Sequence, residues 1–83
     1  NDWNENHIAQ HGFDPEEAEE VVEEARPPYP IEEADRKFLV WGPGRGGRLL
    51  QVIFIVDEDG TLYVIHARLL TENEKRRYRR ARR

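Results

Sequence analysis

The 83-residue sequence predicts an α+β fold in which helices pack on one antiparallel sheet. Three observations predict it. Helical signals occupy the first third of the chain, β-prone segments separated by turn residues fill the middle, and a capped, highly charged helix follows. A chain of this length buries only about 60–65% of its unfolded surface, so we expect a single domain over residues 1–83 and exclude large nucleotide-cofactor folds.

The first of two predicted N-terminal helices is short. It covers Trp3–His11 and ends at Gly12, a residue suited to the C-terminal cap. His7 and His11 are four residues apart on this helix, a spacing that metal ions can use, but no third ligand lies nearby in sequence. We therefore favour a structural role for both histidines and predict no metal site and no cofactor.

The second helix has a strong start signal. Asp14 suits the N-cap, Pro15 suits the first helical position, and Glu17 is placed to close a capping box. Its apolar stripe follows helical spacing and consists of Ala18, Val21, Val22 and Ala25. The helix is expected to end at Arg26-Pro27-Pro28, because neither proline can donate to a helical ladder.

The middle of the chain predicts a three- to four-stranded antiparallel sheet. The predicted strands, in order, are Tyr29–Glu33 as a weak edge strand, Arg36–Trp41, Leu49–Val56 as the central strand, and Leu62–Arg68. Asp57–Gly60 predicts a tight hairpin turn in which Gly60 takes a positive φ. Gly42–Gly47 lacks the Lys-Ser/Thr pair of a phosphate-binding P-loop, so we interpret it as a flexible hairpin loop.

A basic C-terminal helix is predicted after the last strand. Thr71 and Glu74 match a second capping box, and beyond the first turn the only apolar candidates are Tyr78 and Ala81. We therefore expect packing to hold mainly the first turn of this helix.

The net charge of −4 conceals two opposite halves. Residues 1–35 carry twelve acidic residues and one basic residue, a net charge of −11, whereas residues 36–83 carry twelve basic and five acidic residues, a net charge of +7. An arginine-dominated surface of this kind can hold a polyanion, and arginine binds phosphate in a planar, bidentate way. A solvated basic terminus explains the same asymmetry.

Cysteine is absent from the sequence, which excludes disulfides, thiol catalysis and cysteine-bound zinc. The absence fits a reducing compartment, and we expect a cytoplasmic protein. No apolar run approaches the roughly 20 residues of a membrane-spanning helix, so no membrane partner is expected.

Several short motifs are spread over nearly the whole chain. They are Trp3-Asn4-Glu5-Asn6 with His11-Gly12, Phe13-Asp14-Pro15-Glu16-Glu17-Ala18, Asp35-Arg36 before Gly42, Gly47-Arg48-Leu49-Leu50 before Val52-Ile53-Phe54, and Val64-Ile65-His66-Ala67-Arg68 followed by Thr71, Glu74 and Tyr78. In this order they resemble the BrnT family of type II toxin–antitoxin ribonucleases, which have a RelE-like fold. The last block is the most specific, being similar to I-I-S-A-R-x-x-T-x-x-E-x-x-x-Y.

The resemblance implies a toxin that cuts single-stranded RNA or mRNA and is neutralised by a ribbon-helix-helix antitoxin. A homodimer and a toxin–antitoxin hetero-oligomer are both compatible assemblies. The chain departs from the family pattern at three positions. Tyr63 stands where the family usually has arginine, His66 where it has serine, and Ile55 where it commonly has threonine.

Metal-free RNA cleavage needs a base for the 2′-OH, an acid for the leaving oxygen and cations for the charge on phosphorus. The catalytic candidates are Arg68, Arg48, His66 and Tyr78. His66 and Arg68 are two residues apart, so we expect them to share one strand face with Leu62 and Val64. The hairpin predicts that Arg48 lies roughly opposite Leu69, where it would reach the same phosphate as Arg68.

Further cations are candidates for binding the RNA backbone. They are Arg36, Lys37, Arg45, Arg76 and Arg79. Two other functions fit the same residues. One is a catalytically silent module of the same fold that binds nucleic acid or the antitoxin, and the other is a domain that self-associates through its acidic and basic halves.

Overall fold

A computed structural model describes residues 14–81. The elements in chain order are α1 (Pro15–Glu23), β1 (Ile31–Ala34), β2 (Lys37–Pro43), a short 3₁₀ turn (Arg45–Gly47), β3 (Leu49–Val56), β4 (Leu62–Leu69) and α2 (Glu72–Ala81). The α+β prediction is confirmed for this range, which holds two helices and a four-stranded antiparallel sheet. The predicted helix Trp3–His11 lies outside the described residues.

Helix α1 begins as its sequence predicts. Asp14 is the N-cap, and its Oδ1 accepts a hydrogen bond of 2.9 Å from the backbone N–H of Glu16, while Pro15 takes the first turn. Ala18 and Val21 are buried against the sheet. The Glu17 carboxylate, however, does not turn back to the N-cap; it accepts hydrogen bonds from the loop between β2 and β3.

The sheet has the strand order β1-β2-β3-β4, and every neighbouring pair is antiparallel. Strand β3 has the predicted bounds and is internal, and the other strands lie within two residues of their predicted ends. Gly60 has a φ of 90° in the β3–β4 turn, as expected for a position that favours glycine.

The hydrophobic core lies between α1 and one face of the sheet. Its buried members are Ala18, Val21, Val40, Leu50, Val52, Phe54, Val64 and Ala67. Each sheet residue in this set occupies the face toward α1, because side chains alternate along a strand. The opposite sheet face, called the distal face below, carries the alternate positions of β2, β3 and β4.

A β-bulge in β4 changes which side chains share a face. Phe54 pairs with Val64, but the next residue toward the other end, Ile53, pairs with His66, so Ile65 is the extra residue. Val64 and Ala67 therefore both face the core. The prediction that His66 shares a face with Val64 is wrong, because the bulge moves His66 to the distal face.

The observed register differs from the predicted one by one residue from the turn onward and by a second residue beyond the bulge. Leu69 pairs with Leu50 and not with a position opposite Arg48. Arg48 precedes β3 and donates to Glu17 of α1, on the core side. Arg68 pairs with Gln51 on the distal face. Arg48 and Arg68 thus lie on opposite faces of the sheet, and the prediction that both bind the same phosphate is wrong.

The glycine-rich loop is pinned to α1, which corrects the prediction of a flexible loop. The buried Glu17 carboxylate accepts the backbone N–H of Arg45 at 2.7 Å and the Arg48 guanidinium at 2.6 Å. Gly44 lies so close to Glu17 Oε2 that a Cβ would overlap with it, and that Cβ would lie 2.8 Å from Leu50 Cδ1. The loop conformation therefore depends on one buried carboxylate and one residue without a side chain.

We expect Glu17→Ala to lower the free energy of unfolding by about 2 kcal/mol, because it leaves a backbone N–H and a guanidinium without their acceptor. Chemical denaturation of both proteins measures the difference. Glu16→Ala is the matched control, since Glu16 is exposed on the same helix turn. Equal unfolding midpoints for the two variants would contradict the pinning role of Glu17.

Helix α2 has the predicted capping box in full. The Thr71 hydroxyl accepts the backbone N–H of Glu74 at 3.2 Å, and Glu74 Oε1 accepts the backbone N–H of Thr71 at 2.9 Å. Packing extends beyond the first turn, contrary to the prediction. Tyr78 is 6% exposed, and its ring centroid lies 6.3 Å from that of Tyr29.

Candidate functional site

A row of hydrogen-bonded polar side chains crosses the distal face at one end of the sheet. Trp41, Gln51 and Arg68 are cross-strand neighbours on β2, β3 and β4. Gln51 is 7% exposed, and its Oε1 accepts from the Trp41 indole N–H at 3.0 Å and from Arg68 Nη2 at 3.2 Å. Gln51 was missed at the sequence level, although it is the one polar residue within the apolar run Leu49–Val56.

Arg68 is bound by a carboxylate of α2. Its Nη1 lies 2.7 Å from Glu74 Oε1 and its Nη2 lies 2.8 Å from Glu74 Oε2, a bidentate pair. Nη1 also donates to the backbone oxygen of Leu69 at 3.0 Å. With the bond to Gln51, each terminal nitrogen of Arg68 donates two hydrogen bonds, as many as it has protons. A phosphate bound there must replace Glu74 or approach through Nε.

The ion pair shifts the pKa of Glu74 and the pKa of Arg68. The hydrogen bonds from Arg68 and from the Thr71 backbone lower the pKa of Glu74 to about 2. The hydrogen bond to Glu74 raises the pKa of the Arg68 guanidinium above its ordinary value. Both groups therefore stay charged at neutral pH, and the pair anchors the first turn of α2 to the end of β4.

We expect this anchor to weaken in acid. Because the folded-state pKa of Glu74 is depressed, its contribution to stability is complete above the unfolded value near 4.5 and is lost as pH falls toward about 2. Denaturation midpoints between pH 6 and about 2 for the wild type and Glu74→Gln measure this. The variant's midpoint should fall less steeply over this range, and parallel profiles would contradict the assignment.

His66 lies beside Arg68 on the distal face. It pairs with Ile53 across β3 and is half-buried. Two residues along a strand place the two Cα atoms about 7 Å apart, a spacing that one phosphodiester group can bridge. Lys37 and Tyr63 also occupy the distal face, both paired with Ile55 at the far end of the sheet. The structure thus brings together His66 and Arg68, as predicted from their spacing.

The other two catalytic candidates lie elsewhere. Arg48 is paired with Glu17 on the core side, and Tyr78 is buried against Tyr29. Arg45, a predicted RNA-binding residue, is held by two carboxylates of the α1 region, Asp14 at 2.8 Å and Glu20 at 3.2 Å. These hydrogen bonds, with that of Glu20 first, raise the pKa of Arg45. Its charge is thus neutralised by the acidic half of the same chain.

The remaining predicted cations are accessible. Arg36 is exposed in the β1–β2 turn with a φ of 62°, and Lys37 is half-buried. Arg76 and Arg79 are exposed on α2, and so is Arg80. We call Arg76, Arg79 and Arg80 the arginine ridge, because they occupy the side of α2 away from the buried Tyr78.

Residues 14–81 contain no group of three or more His, Asp or Glu side chains placed to hold a metal ion, and none of their helices is long and apolar enough to cross a membrane. The His7–His11 pair lies outside this range. Comparisons with protein-family models, curated proteins and solved structures found no match for this chain.

Proposed function

We propose that the chain is a BrnT-type toxin with a RelE-like fold, a metal-independent endoribonuclease acting on single-stranded RNA and neutralised by a ribbon-helix-helix antitoxin. The observation that carries the proposal is the placement of His66 and Arg68 side by side on the distal face, at the end of the sheet where Glu74 anchors α2. The resemblance of the sequence motifs to the BrnT family supports the proposed family, and the juxtaposition of His66 and Arg68 supports the proposed chemistry.

The cleavage step follows from these two side chains. Neutral His66 takes the proton from a ribose 2′-OH, and the 2′ oxygen attacks the adjacent phosphorus. The bond from phosphorus to the 5′ oxygen breaks, and the protonated imidazole returns its proton to that leaving oxygen. Arg68 stabilises the charge on the non-bridging oxygens. The products are a 2′,3′-cyclic phosphate and a 5′-hydroxyl.

Arg48 and Tyr78 are left out of this mechanism. Arg48 is on the other side of the sheet, and Tyr78 is buried. The RNA backbone is bound by Lys37, Arg36 and the arginine ridge. Arg45 has a structural role, because its hydrogen bonds to Glu20 and Asp14 hold the loop against α1.

A catalytically silent module that binds RNA or the antitoxin is the second candidate. One observation favours it. The terminal nitrogens of Arg68 are fully engaged with Glu74, Gln51 and Leu69, so the guanidinium is not poised for a phosphate. Under this function the arginine ridge binds the polyanion and the distal face performs no chemistry.

Incubation of the purified protein with an end-labelled single-stranded RNA in EDTA distinguishes the two candidates. The nuclease should produce fragments ending in a 2′,3′-cyclic phosphate, and an RNA of the same sequence with 2′-O-methyl groups should stay intact. Salt-sensitive binding of intact RNA supports the silent module. If the protein neither cleaves nor binds RNA at low salt, both the nuclease and the RNA-binding form of the silent module are contradicted.

A further inference from the structure

A cavity of about 540 Å³ lies at the end of β2, between the last turn of α1 and Tyr78 of α2. It forms where β1 no longer covers β2, since β1 pairs with β2 only as far as Leu39. Its walls are the aromatic rings of Trp41 and Tyr78 and the apolar side chains of Val21 and Ala25. This volume lies within the range of small-molecule sites.

The aromatic wall is held in place before any ligand arrives. The Trp41 indole N–H is bonded to Gln51, and the Arg77 guanidinium carbon lies 5.2 Å from the centre of the Trp41 ring. Tyr29 packs on both aromatic residues, with ring centroids 6.3 Å from each. Gly42 also lines the cavity, and a Cβ at that position would lie 3.5 Å from Val21 Cγ1. The cavity is therefore preorganised.

Two charged residues at the cavity supply opposite hydrogen-bonding properties. Glu24 offers a carboxylate that only accepts, and Arg26 offers a guanidinium that only donates. Guanine offers two groups to each of them, whereas adenine and cytosine offer the carboxylate one amino group. The N1–H and N2–H₂ groups of guanine suit a carboxylate, and its O6 and N7 suit a guanidinium. Uracil offers a single N–H donor and so matches less well.

We propose that this cavity binds a guanine base of the RNA held on the distal face, and that it sets a base preference. The inference rests on the proposed function. Trp41 and Arg68 are two strands apart, roughly 10 Å, and are joined through Gln51. A nucleotide close to the phosphate at Arg68 is thus within reach of the cavity, where its base lies against the aromatic wall.

Fluorescence anisotropy with two non-cleavable RNAs tests the proposal. The probes are labelled 2′-O-methyl decauridylate and the same decamer with one central guanine. The wild-type protein should bind the guanine-containing probe roughly tenfold more tightly, as expected for a two-point contact to a base edge. Glu24→Gln should remove most of this ratio, because its amide keeps only one acceptor oxygen and brings an NH₂ donor where guanine also presents donors.

Glu23→Gln is the matched control, since it removes the same charge from the neighbouring exposed position, which does not line the cavity. Both variants should bind decauridylate somewhat more tightly, because each removes a negative charge, but only Glu24→Gln should lose the preference. A preference unchanged in Glu24→Gln, or lost equally in Glu23→Gln, overturns the proposal. Trp41→Phe keeps an aromatic wall and should keep most of the preference.

A second measurement separates failure of this inference from failure of the proposed function. Guanosine 5′-monophosphate should shift the Trp41 indole N–H signal in NMR spectra, whereas uridine 5′-monophosphate should not. RNA binding without any guanine preference and without this shift overturns the cavity inference and leaves the RNA function standing. An indole shift with no binding of either decamer supports the cavity and contradicts the RNA function.

Discussion

Arg68→Ala should reduce RNA cleavage by about 10²- to 10³-fold, the loss typical when a donor to the transition-state charge is removed. The initial rate of cleavage of a labelled single-stranded RNA in EDTA measures the effect. The same substitution also leaves Glu74 without its guanidinium partner, and Glu74 is only 16% exposed. A loss of activity in this variant alone would therefore have two explanations, the loss of a catalytic group and the loss of the contact that anchors α2.

Glu74→Gln makes the separation, because it breaks the same ion pair and keeps the arginine. If Arg68 acts on RNA, Glu74→Gln should cleave at least as fast as the wild type, since the phosphate no longer competes with a carboxylate. If the pair serves only to anchor α2, both variants should lose activity and stability together. Arg48→Ala is the comparator on the opposite sheet face, and it should lower stability while leaving the cleavage rate nearly unchanged.

Replacing the three members of the arginine ridge by glutamine should weaken RNA binding roughly 10- to 100-fold at moderate salt, because each arginine neutralises one phosphate and releases a counterion. The plot of log affinity against log salt concentration should become shallower by about 2, the sum expected for three contacts to a single strand. Anisotropy titrations at four or five salt concentrations measure both quantities.

Stability should not change in this triple variant, because all three side chains are exposed. Its thermal midpoint and helical content therefore serve as the internal control. An unchanged salt slope would show that the RNA does not contact the arginine ridge. Arg36 and Lys37, at the other end of the sheet, would then be the candidate RNA-binding residues.

Local sequence signals predicted most of the fold. Asp14-Pro15 and Thr71-x-x-Glu74 marked both helix starts, because capping depends on residues that are close in sequence. The apolar run Leu49–Val56 marked the internal strand at its observed bounds. Each of these signals consists of residues that lie close together in the sequence, so the sequence alone predicts the element.

The cross-strand geometry could not be predicted in the same way. A bulge at Ile65 shifts the pairing by one residue, and the local sequence pattern of β4 does not predict it. This single residue moves His66 to the distal face and separates Arg48 from Arg68. Counting from the hairpin turn also misplaced the pairing by one residue before the bulge, since Val56 pairs with Leu62.

The sequence also did not predict the long-range ion pairs. Glu17 sits where a capping box predicts it, yet its carboxylate binds a loop 28 residues further along the chain. Arg45 was predicted to bind the RNA backbone and Arg48 to reach the same phosphate as Arg68, but the fold brings carboxylates of the acidic half of the chain against both. Charge counts along the chain cannot tell which arginines are already neutralised in the folded domain.

The proposed function requires that RNA lies on the distal face between His66 and Arg68. The most direct test is an NMR titration of ¹⁵N-labelled protein with a 2′-O-methyl single-stranded RNA decamer that cannot be cleaved. We expect the largest amide and side-chain shifts at His66, Arg68 and the arginine ridge, with little change at Arg45 or Arg48. Shifts confined to α1 and the Arg45–Gly47 turn, or no shifts at low salt, would contradict the account.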